Sequence, residues 1–196
     1  MDVITHYDLL IDENNDPLRD PPALQAYMDK WDGQAFFDAL KLDKSKNVLE
    51  IGIGTGRLAA KAAPRCKRLT GIDISPKTIR RAKENLKEHC NISYICADFN
   101  SYNFAETFDI IYSSLTMMHF ENKEQILFKV ATLLNDDGVF CLSIDKNQDP
   151  YINMGTHRMK IYPDSPDLII PILHAVSMTA ESVTETEHAY IIVSRK

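Results

Sequence analysis

LEIGIGTGR, residues 49–57, runs from an apolar strand-like segment through a glycine-rich turn into the start of a helix. A strand that enters such a turn and opens a helix is the first unit of an open α/β sheet, whose ligands bind beyond the carboxyl ends of the strands. Gly52, Gly54 and Gly56 let the backbone approach a ligand without an intervening Cβ atom. The stretch therefore predicts a site for a nucleotide-type cofactor.

The charge beside this turn separates the candidate cofactors. Residues 54–59 fit the dinucleotide pattern G-x-G-x-x-G/A, and Asp73 follows about 20 residues later. Glu50 argues against a dinucleotide, because a carboxylate that ends an apolar strand would repel a pyrophosphate. The sulfonium and ammonium groups of S-adenosylmethionine are a better match for that carboxylate. A nucleoside triphosphate is excluded, since the turn lacks the lysine and hydroxyl of a P-loop.

Strand-like and helical segments alternate from residue 46 onward, as in a parallel sheet with helices on both faces. After a polar stretch over 145–157 and a short extended piece, the chain ends in a proline-kinked helix and two strand-like runs. One or two residues separate these runs, so they must pair antiparallel. The predicted strands are 47–52, 68–73, 92–97, 109–113, 139–144, 179–187 and 189–194, and the predicted helices are 57–63, the one begun by Ser75 and Pro76, 123–134 and 166–175.

The first 45 residues are predicted to be an accessory segment, and residues 46–196 the main domain. Residues 1–20 have a mostly loop-like pattern with several helix breakers, and residues 23–40 are predicted to form two helical pieces split at Gly33. The first forty residues hold nine acidic and two basic side chains, whereas residues 57–88 hold ten basic and three acidic ones. The basic run fits the exposed side of an amphipathic helix or a functional basic patch.

The glycine-rich turn and three later segments resemble the class I, Rossmann-like methyltransferases that depend on S-adenosylmethionine. The pattern E-x-G-x-G-x-G at residues 50–56 resembles their first motif, and residues 108–120 (FDIIYSSLTMMHF) resemble the fourth-strand motif of the small-molecule branch. The resemblance covers roughly residues 40–196. It implies a doubly wound α/β fold with a mostly parallel seven-stranded sheet in the order 3-2-1-4-5-7-6, an antiparallel C-terminal hairpin and an N-terminal helical lid.

The resemblance also implies a set of cofactor-binding residues. Asp73 would accept hydrogen bonds from the ribose hydroxyls while Ile74 packs on the adenine, and Asp98 and Phe99 would meet the adenine amino group and ring. From the residues alone, Asp73 can instead be a helix cap and Asp98 a turn residue. The implied set is Glu50, Gly52, Gly54, Gly56, Asp73, Ile74, Asp98, Phe99, Ser113, Ser114 and Leu115, with the last three beside the methionine moiety and the sulfonium.

Methyl transfer from a sulfonium is an in-line displacement in which the cofactor supplies the leaving group, so the protein chiefly binds and aligns. A base is required only when the acceptor starts protonated. His119, just past the fourth strand, is the first candidate, and Tyr7 in the N-terminal segment is the second; ordering a loop and packing are the structural alternatives. Side chains that are candidates for an acceptor pocket are Tyr27, Trp31, Met117, Met118, Phe120, Tyr151 and Met154.

Composition limits the other classes of function. With 28 acidic and 22 basic residues among 196, the net charge of −6 disfavours a nucleic-acid partner, and the fourth-strand motif differs from the [D/N]-P-P-[F/Y] of nucleic-acid amino methyltransferases. No apolar run approaches a membrane span. Four cysteines without metal-ligand spacing are expected to be reduced cytoplasmic thiols, and no metal site is predicted.

The leading prediction is a cytoplasmic small-molecule methyltransferase, a monomer or homodimer, that converts S-adenosylmethionine to S-adenosylhomocysteine. Two alternatives stay open from the sequence. One is a regulatory module that binds the cofactor without transferring its methyl group. The other is an NAD(P)-dependent oxidoreductase, which Glu50 and the C-terminal hairpin disfavour.

Overall fold

The structure is a computed structural model that describes residues 1–154 and 157–196. Its elements alternate along the chain as the sequence pattern predicts. The helices are α1 (Val3–Asp12), α2 (Pro22–Met28), α3 (Gly33–Leu40), α4 (Arg57–Ala62), α5 (Pro76–Asn85), α6 (Lys123–Leu133) and α7 (Pro166–Ala175). The strands are β1 (Asn47–Ile51), β2 (Arg68–Asp73), β3 (Ile92–Cys96), β4 (Phe108–Ser114), β5 (Leu134–Asp145), β6 (Tyr151–Met154), β7 (His157–Lys160), β8 (Thr179–Glu185) and β9 (Ala189–Arg195).

Seven strands form one sheet in the order β3-β2-β1-β4-β5-β9-β8. The first five strands run parallel, and β9 pairs antiparallel with both β5 and β8. Since β8 and β9 are the sixth and seventh strands of this sheet in chain order, the predicted order 3-2-1-4-5-7-6 is confirmed. Strands β6 and β7 form a separate hairpin within the insertion. The predicted polar stretch over 145–157 contains β6, which the sequence pattern did not indicate.

Apolar side chains cover both faces of the central strands, as expected for a parallel sheet with helices on each side. Successive residues of β1 alternate between two clusters: Val48 packs with α3 and α4, whereas Leu49 packs with α6 and α7. Three fully or nearly buried side chains of α3 belong to the first of these clusters, namely Phe36, Phe37 and Leu40. The N-terminal segment therefore contributes to the core, and a domain boundary at residue 45 stays a prediction.

The loop-like pattern expected for residues 1–20 is wrong for α1. Asp2 caps this helix, since its Oδ1 accepts a hydrogen bond from the backbone N–H of Thr5 at 2.9 Å. The breakers Asn14, Asn15 and Pro17 follow the end of the helix and do not interrupt it. The N-terminal segment is thus helical, as the predicted lid requires, but over a longer range than its sequence indicated.

The acidic N-terminal segment lies against the basic helices α4 and α5. Ion pairs join Asp29 to Lys61, Asp12 to Lys77 and Asp16 to Arg81. Arg80, Lys83 and Lys87 are exposed, which agrees with the solvent-facing interpretation of the basic run. The negative charge of the N-terminal segment is thus paired with the positive charge of α4 and α5 inside the protein.

Among residues 1–154 and 157–196, no helix has both the length and the apolar character that crossing a lipid bilayer requires.

Asp16 provides a test of this contact. Its side chain is 1% exposed and accepts hydrogen bonds from Arg81 at 3.2 Å and Asn85 at 3.0 Å. Burial alone would raise the pKa of Asp16, but the hydrogen bonds outweigh it and lower the pKa below its ordinary value. A lowered folded-state pKa stabilises the protein above the unfolded pKa of about 3.9, and this contribution is lost as the pH falls through the folded value.

We expect Asp16→Asn to lower the free energy of unfolding at pH 7 by about 1–3 kcal/mol, because it removes the charge that Arg81 and Asn85 bind. Urea unfolding at pH 7 and pH 3 measures this, and the difference between wild type and variant should shrink at pH 3. Glu13→Gln, which changes an exposed carboxylate at the end of α1, is the matched control. An equal loss of stability at both pH values would contradict the role of the charge.

Candidate functional site

A cavity of about 350 Å³ lies at the carboxyl ends of β1, β2 and β4 and is covered by α1. Its volume is within the range of small-molecule sites, about 300–1,000 Å³. The structure brings most of the predicted site residues together in its wall: Tyr7, Glu50, Gly52, Gly54, Asp73, Ile74, Asp98, Phe99, Ser114, Leu115 and His119. These residues come from distant parts of the sequence, and the parallel strands place them at one edge of the sheet.

Two predicted cofactor residues lie outside the wall of this cavity. Gly56 precedes α4 with φ +97°, and a Cβ there would meet Leu86 Cδ1 at 2.5 Å, so its role is to let α4 start close to that side chain. Ser113 is 1% exposed, and its hydroxyl donates to the carbonyl oxygen of Ile51 at 3.0 Å. Both residues lie outside the cavity wall and hold neighbouring backbone in place, and direct contact with a cofactor stays a prediction for each.

Most of the predicted acceptor-pocket residues are also away from the cavity. Trp31 donates from Nε1 to Asp145 at 3.1 Å, and its ring lies 4.6 Å from that of His188 and 5.3 Å from that of Tyr27. The guanidinium of Arg158 lies 3.4 Å from the ring centre of Tyr151. Tyr27 and Trp31 therefore pack on the turn before β9, and an acceptor contact by these residues stays a prediction.

The other predicted pocket residues, the methionines and Phe120, lie in different surroundings. Met118 is buried in a small cluster with Met159 and Ile161, and Met117 belongs to the main core. Phe120 does line the cavity. The side chain of Met154 lies outside the described part of the chain. Cavity residues that the sequence pattern did not indicate include Val3, Leu10, Ile11, Asn15, Pro17, Met28, Arg57 and Thr78.

Two glycines of the turn have distinct roles. Gly52 (φ +77°) approaches the loop after β4 so closely that a Cβ would lie 2.0 Å from Thr116 Oγ1. Gly54 (φ +57°) faces open space, since a Cβ there would have no neighbour within 4 Å. Gly54 also lines the cavity. The turn thus leaves room for a ligand to approach its backbone at residue 54.

Asp73 ends β2 and joins the glycine turn to the start of α5. Its Oδ2 accepts from the backbone N–H of Gly54 and its Oδ1 from that of Ser75, both at 3.0 Å. Burial raises the pKa of Asp73, and these hydrogen bonds oppose that effect. Ser75, whose hydroxyl accepts from Thr78 N–H, is the helix cap, so the alternative that Asp73 is the cap is wrong.

Asp98 has both of the roles considered for it. It is a turn residue, since its side chain accepts hydrogen bonds from the backbone N–H groups of Asn100 and Ser101, and it also lines the cavity.

Glu50 lies beneath the glycine turn with only 3% of its surface exposed. The hydroxyl of Tyr112 donates to its Oε2 at 2.8 Å. Burial raises the pKa of Glu50 to about 8, although the hydrogen bond from Tyr112 and the charge of Arg57 act in the opposite direction. A buried carboxylate of this kind gains free energy when a cation comes close.

An ion pair fixes the side of the cavity next to Glu50. The guanidinium of Arg57 contacts both carboxylate oxygens of the buried Asp32, with Nη1 at 3.0 Å from Oδ1. The hydroxyl of Ser114 donates to Asp32 Oδ2 at 3.0 Å. The sequence pattern predicts a helix start at Arg57 but not this network, because the partner carboxylate of Asp32 is in the N-terminal segment.

Tyr7 and His119 form a pair in the wall of the cavity. The Tyr7 hydroxyl lies 2.7 Å from Nε2 of His119, within hydrogen-bond distance. Burial, helped by the charges of His6 and Lys123, lowers the pKa of His119 to about 4. Burial and the nearby Asp73 raise the pKa of Tyr7 above its ordinary value. At neutral pH the pair therefore consists of an uncharged imidazole, able to accept a proton, and an uncharged phenol.

Two buried polar atoms of cavity-lining residues have no hydrogen-bond partner within the described residues. They are Oγ1 of Thr78 and Nδ1 of His119. Buried polar atoms in native proteins are nearly always hydrogen-bonded, to protein, water or ligand. Within residues 1–154 and 157–196, no group of three or more histidine, cysteine, aspartate or glutamate side chains is arranged to hold a metal ion.

Comparison with known proteins gives one family match and several relatives. Residues 48–138 match the family described as "Methyltransferase domain". Nodulation protein S of Sinorhizobium fredii is 34% identical over 106 residues, which is 52% of this chain and 49% of that protein. Malonyl-[acyl-carrier protein] O-methyltransferase 1 of Ilyobacter polytropus is 30% identical over 107 residues, 54% of this chain and 40% of that protein. The chain spans about half the length, or less, of the curated relatives it matches.

A solved structure extends the likeness over the whole fold. The N-methyltransferase NodS from Bradyrhizobium japonicum WM9, crystallised with S-adenosylhomocysteine, superposes with a TM-score of 0.74. The alignment covers 100% of this chain and 99% of that one, at 21% identity. The N-terminal segment is therefore included in the shared fold.

We expect the imidazole of His119 to stay uncharged from pH 8 down to pH 5, since its pKa is about 4. Because this value is below that of an unfolded histidine, about 6.5, the contribution of His119 to stability is complete above pH 6.5 and is lost as the pH falls towards 4. Nitrogen-15 NMR of the histidine side chains measures the first expectation. Urea unfolding of His119→Gln, with the exposed His174→Gln as control, measures the second, and the pH dependence should flatten only in His119→Gln.

Proposed function

We propose that this chain, which resembles the class I S-adenosylmethionine-dependent methyltransferases in its motifs and shares their fold, transfers a methyl group from S-adenosylmethionine to a small-molecule acceptor. The observation that carries the proposal is the cavity at the end of β1, where the glycine turn lies between the carboxylates of Glu50 and Asp73. The family match over residues 48–138 supports the same activity.

The residues of the cavity fit this cofactor. Open space at Gly54 admits a ligand against the backbone. Each carboxylate oxygen of Asp73 accepts one backbone hydrogen bond and keeps a further lone pair for a ribose hydroxyl. A cationic ammonium or sulfonium beside Glu50 would stabilise its ionised carboxylate against the effect of burial, whereas a pyrophosphate would disfavour that ionised form further. The same carboxylate disfavours a nicotinamide dinucleotide.

The cofactor supplies an electrophilic methyl group and its leaving group when it is bound, so the work of the chain is to bind, orient and exclude water. Apolar residues of α1, among them Val3, Leu10 and Ile11, cover the cavity. Tyr7 and His119 act together as the general base for an acceptor that starts protonated: Nε2 of the neutral imidazole donates to the Tyr7 hydroxyl oxygen, and Nδ1, which has no partner among the described residues, takes up the proton.

The acceptor is assigned only as a small molecule. Among the similar proteins, one is named an N-methyltransferase and another an O-methyltransferase that acts on malonyl-[acyl-carrier protein]. Their names therefore favour neither atom for this chain. A general base in the cavity, formed by Tyr7 and His119, favours an acceptor that loses a proton on methylation, such as an alcohol, a phenol or an ammonium.

We expect Gly54→Val and Asp73→Asn each to weaken the binding of S-adenosylhomocysteine about tenfold or more. Valine would fill the open space at Gly54, and asparagine would remove the negative charge that accepts hydrogen bonds. Isothermal titration calorimetry measures the affinity. Gly33→Val is the matched control, since Gly33 also has positive φ (+62°) and open surroundings but lies outside the cavity wall. Binding of NADH in place of S-adenosylhomocysteine would contradict the assignment of the cofactor.

We expect Tyr7→Phe and His119→Gln to lower methyl transfer while leaving the affinity for S-adenosylhomocysteine within a fewfold of wild type. General-base catalysis contributes about 10²–10⁴-fold, which sets the expected loss. S-adenosylhomocysteine formed from a panel of alcohols, phenols and amines measures the transfer, with His174→Gln as the control. Unchanged rates in both variants would show that the acceptor needs no base from this pair, and cofactor binding without any transfer would favour a regulatory module.

A further inference from the structure

Lys123, the first residue of α6, is a buried cation close to the proposed base. Its side chain is 6% exposed, and its Nζ donates to the carbonyl oxygens of Met117 at 2.6 Å and Tyr162 at 2.9 Å. The third partner is the carboxylate of Asp164 at 2.9 Å, which is also buried. The ammonium thus makes two hydrogen bonds to backbone carbonyl oxygens and one ion pair to a carboxylate.

A buried ion pair of this kind is a poor way to gain stability. Removing two charges from water is unfavourable, and well-packed apolar side chains of similar volume often stabilise a core as well or better. The two hydrogen bonds and the ion pair instead fix the positions of the three groups that contact Lys123. These groups belong to two loops that are distant in sequence: the turn after β4 and the segment after β7.

The turn held in this way is the one that carries His119. Residues Met117–His119 form a single 3-10 turn, and Lys123 binds its first carbonyl oxygen. The backbone N–H of Tyr162 donates to the second, that of Met118, at 2.8 Å. Both carbonyls before His119 are therefore tied to the segment that contains Asp164. The imidazole at the end of this turn is the one that reaches Tyr7 at 2.7 Å.

We propose that Lys123 and Asp164 are positioning residues that hold the turn at 117–119, so that Nε2 of His119 stays within hydrogen-bond distance of the Tyr7 hydroxyl. The inference rests on the proposed function, since a fixed imidazole matters for catalysis only where a proton is transferred. The charged and titratable groups that face His119 are His6 and Tyr7 from α1 and Lys123 from α6. Neither Lys123 nor Asp164 lines the cavity.

Three variants separate positioning from simple stabilisation. Lys123→Met with Asp164→Leu removes both charges together and leaves no buried ion unpaired. Lys123→Arg keeps the cation and is the rescue variant. Asp164→Asn keeps the shape of the side chain and provides the test should the double variant not fold. Cooperative urea unfolding shows which variants are folded.

The first measurement is the titration of His119 by nitrogen-15 NMR on the full chain without ligand, with His119→Gln to assign the signal. We expect the double variant to fold and its His119 midpoint to rise by about one pH unit, because the imidazole loses both the neighbouring cation and its fixed place. Lys123→Arg should return the midpoint towards wild type. A folded double variant with the wild-type midpoint would overturn the proposal.

The second measurement is methyl transfer with an acceptor found in the panel above. A displacement of about 1 Å at a catalytic group costs about 10²-fold, so we expect kcat to fall by that order while KM and the affinity for S-adenosylhomocysteine stay within about twofold. A parallel change in all three would instead indicate a general structural role and overturn the proposal. Failure of the proposed function looks different, because the wild-type chain would then transfer no methyl group while the NMR titration still reports on the positioning of His119.

Discussion

Asp32 is buried between the guanidinium of Arg57 and the hydroxyl of Ser114, and the arrangement of the cavity depends on this contact. Arg57 opens the helix after the glycine turn, Ser114 ends β4, and Asp32 belongs to the N-terminal segment. One carboxylate thus joins three parts of the chain beside Glu50. An unpaired carboxylate or guanidinium at this depth would cost several kcal/mol, so each of the three elements holds the other two in place.

The part of the fold that the sequence predicts is the part that local chemistry determines. The pattern of Glu50 and the glycines specifies a strand, a turn and a helix, and the short link before β9 requires an antiparallel partner. The helix α1 escaped prediction because contacts with distant parts of the chain hold it in place, such as the hydrogen bond from the Ser75 hydroxyl to Asp8. The same limit applies to Trp31. The sequence offers Trp31 and Tyr27 as acceptor-pocket candidates, but only the fold places both rings against His188.

The site combines groups whose charges are suppressed with groups whose charges are paired. His119 and Tyr7 are neutral at pH 7 because burial penalises their charged forms, whereas Arg57 and Lys123 keep their charges because carboxylates face them. When the imidazole takes up a proton it becomes a cation in the apolar wall, and the Tyr7 hydroxyl oxygen, 2.7 Å from Nε2, is in place to accept a hydrogen bond from it. The Arg57–Asp32 pair lies beside the cavity and the Lys123–Asp164 pair lies outside its wall, and both pairs fix backbone and side-chain positions.

The cover and the floor of the cavity differ in how firmly they are attached. The floor consists of central strands with neighbours on both sides, whereas α1 is joined to α5 by Asp8 and Asp12 over a sequence separation of more than sixty residues. The Lys77–Asp12 pair is largely exposed, and such pairs contribute little. Local opening therefore costs less free energy at α1 than at β1 or β4. Amide hydrogens of α1 should therefore exchange with solvent while those of the sheet remain protected.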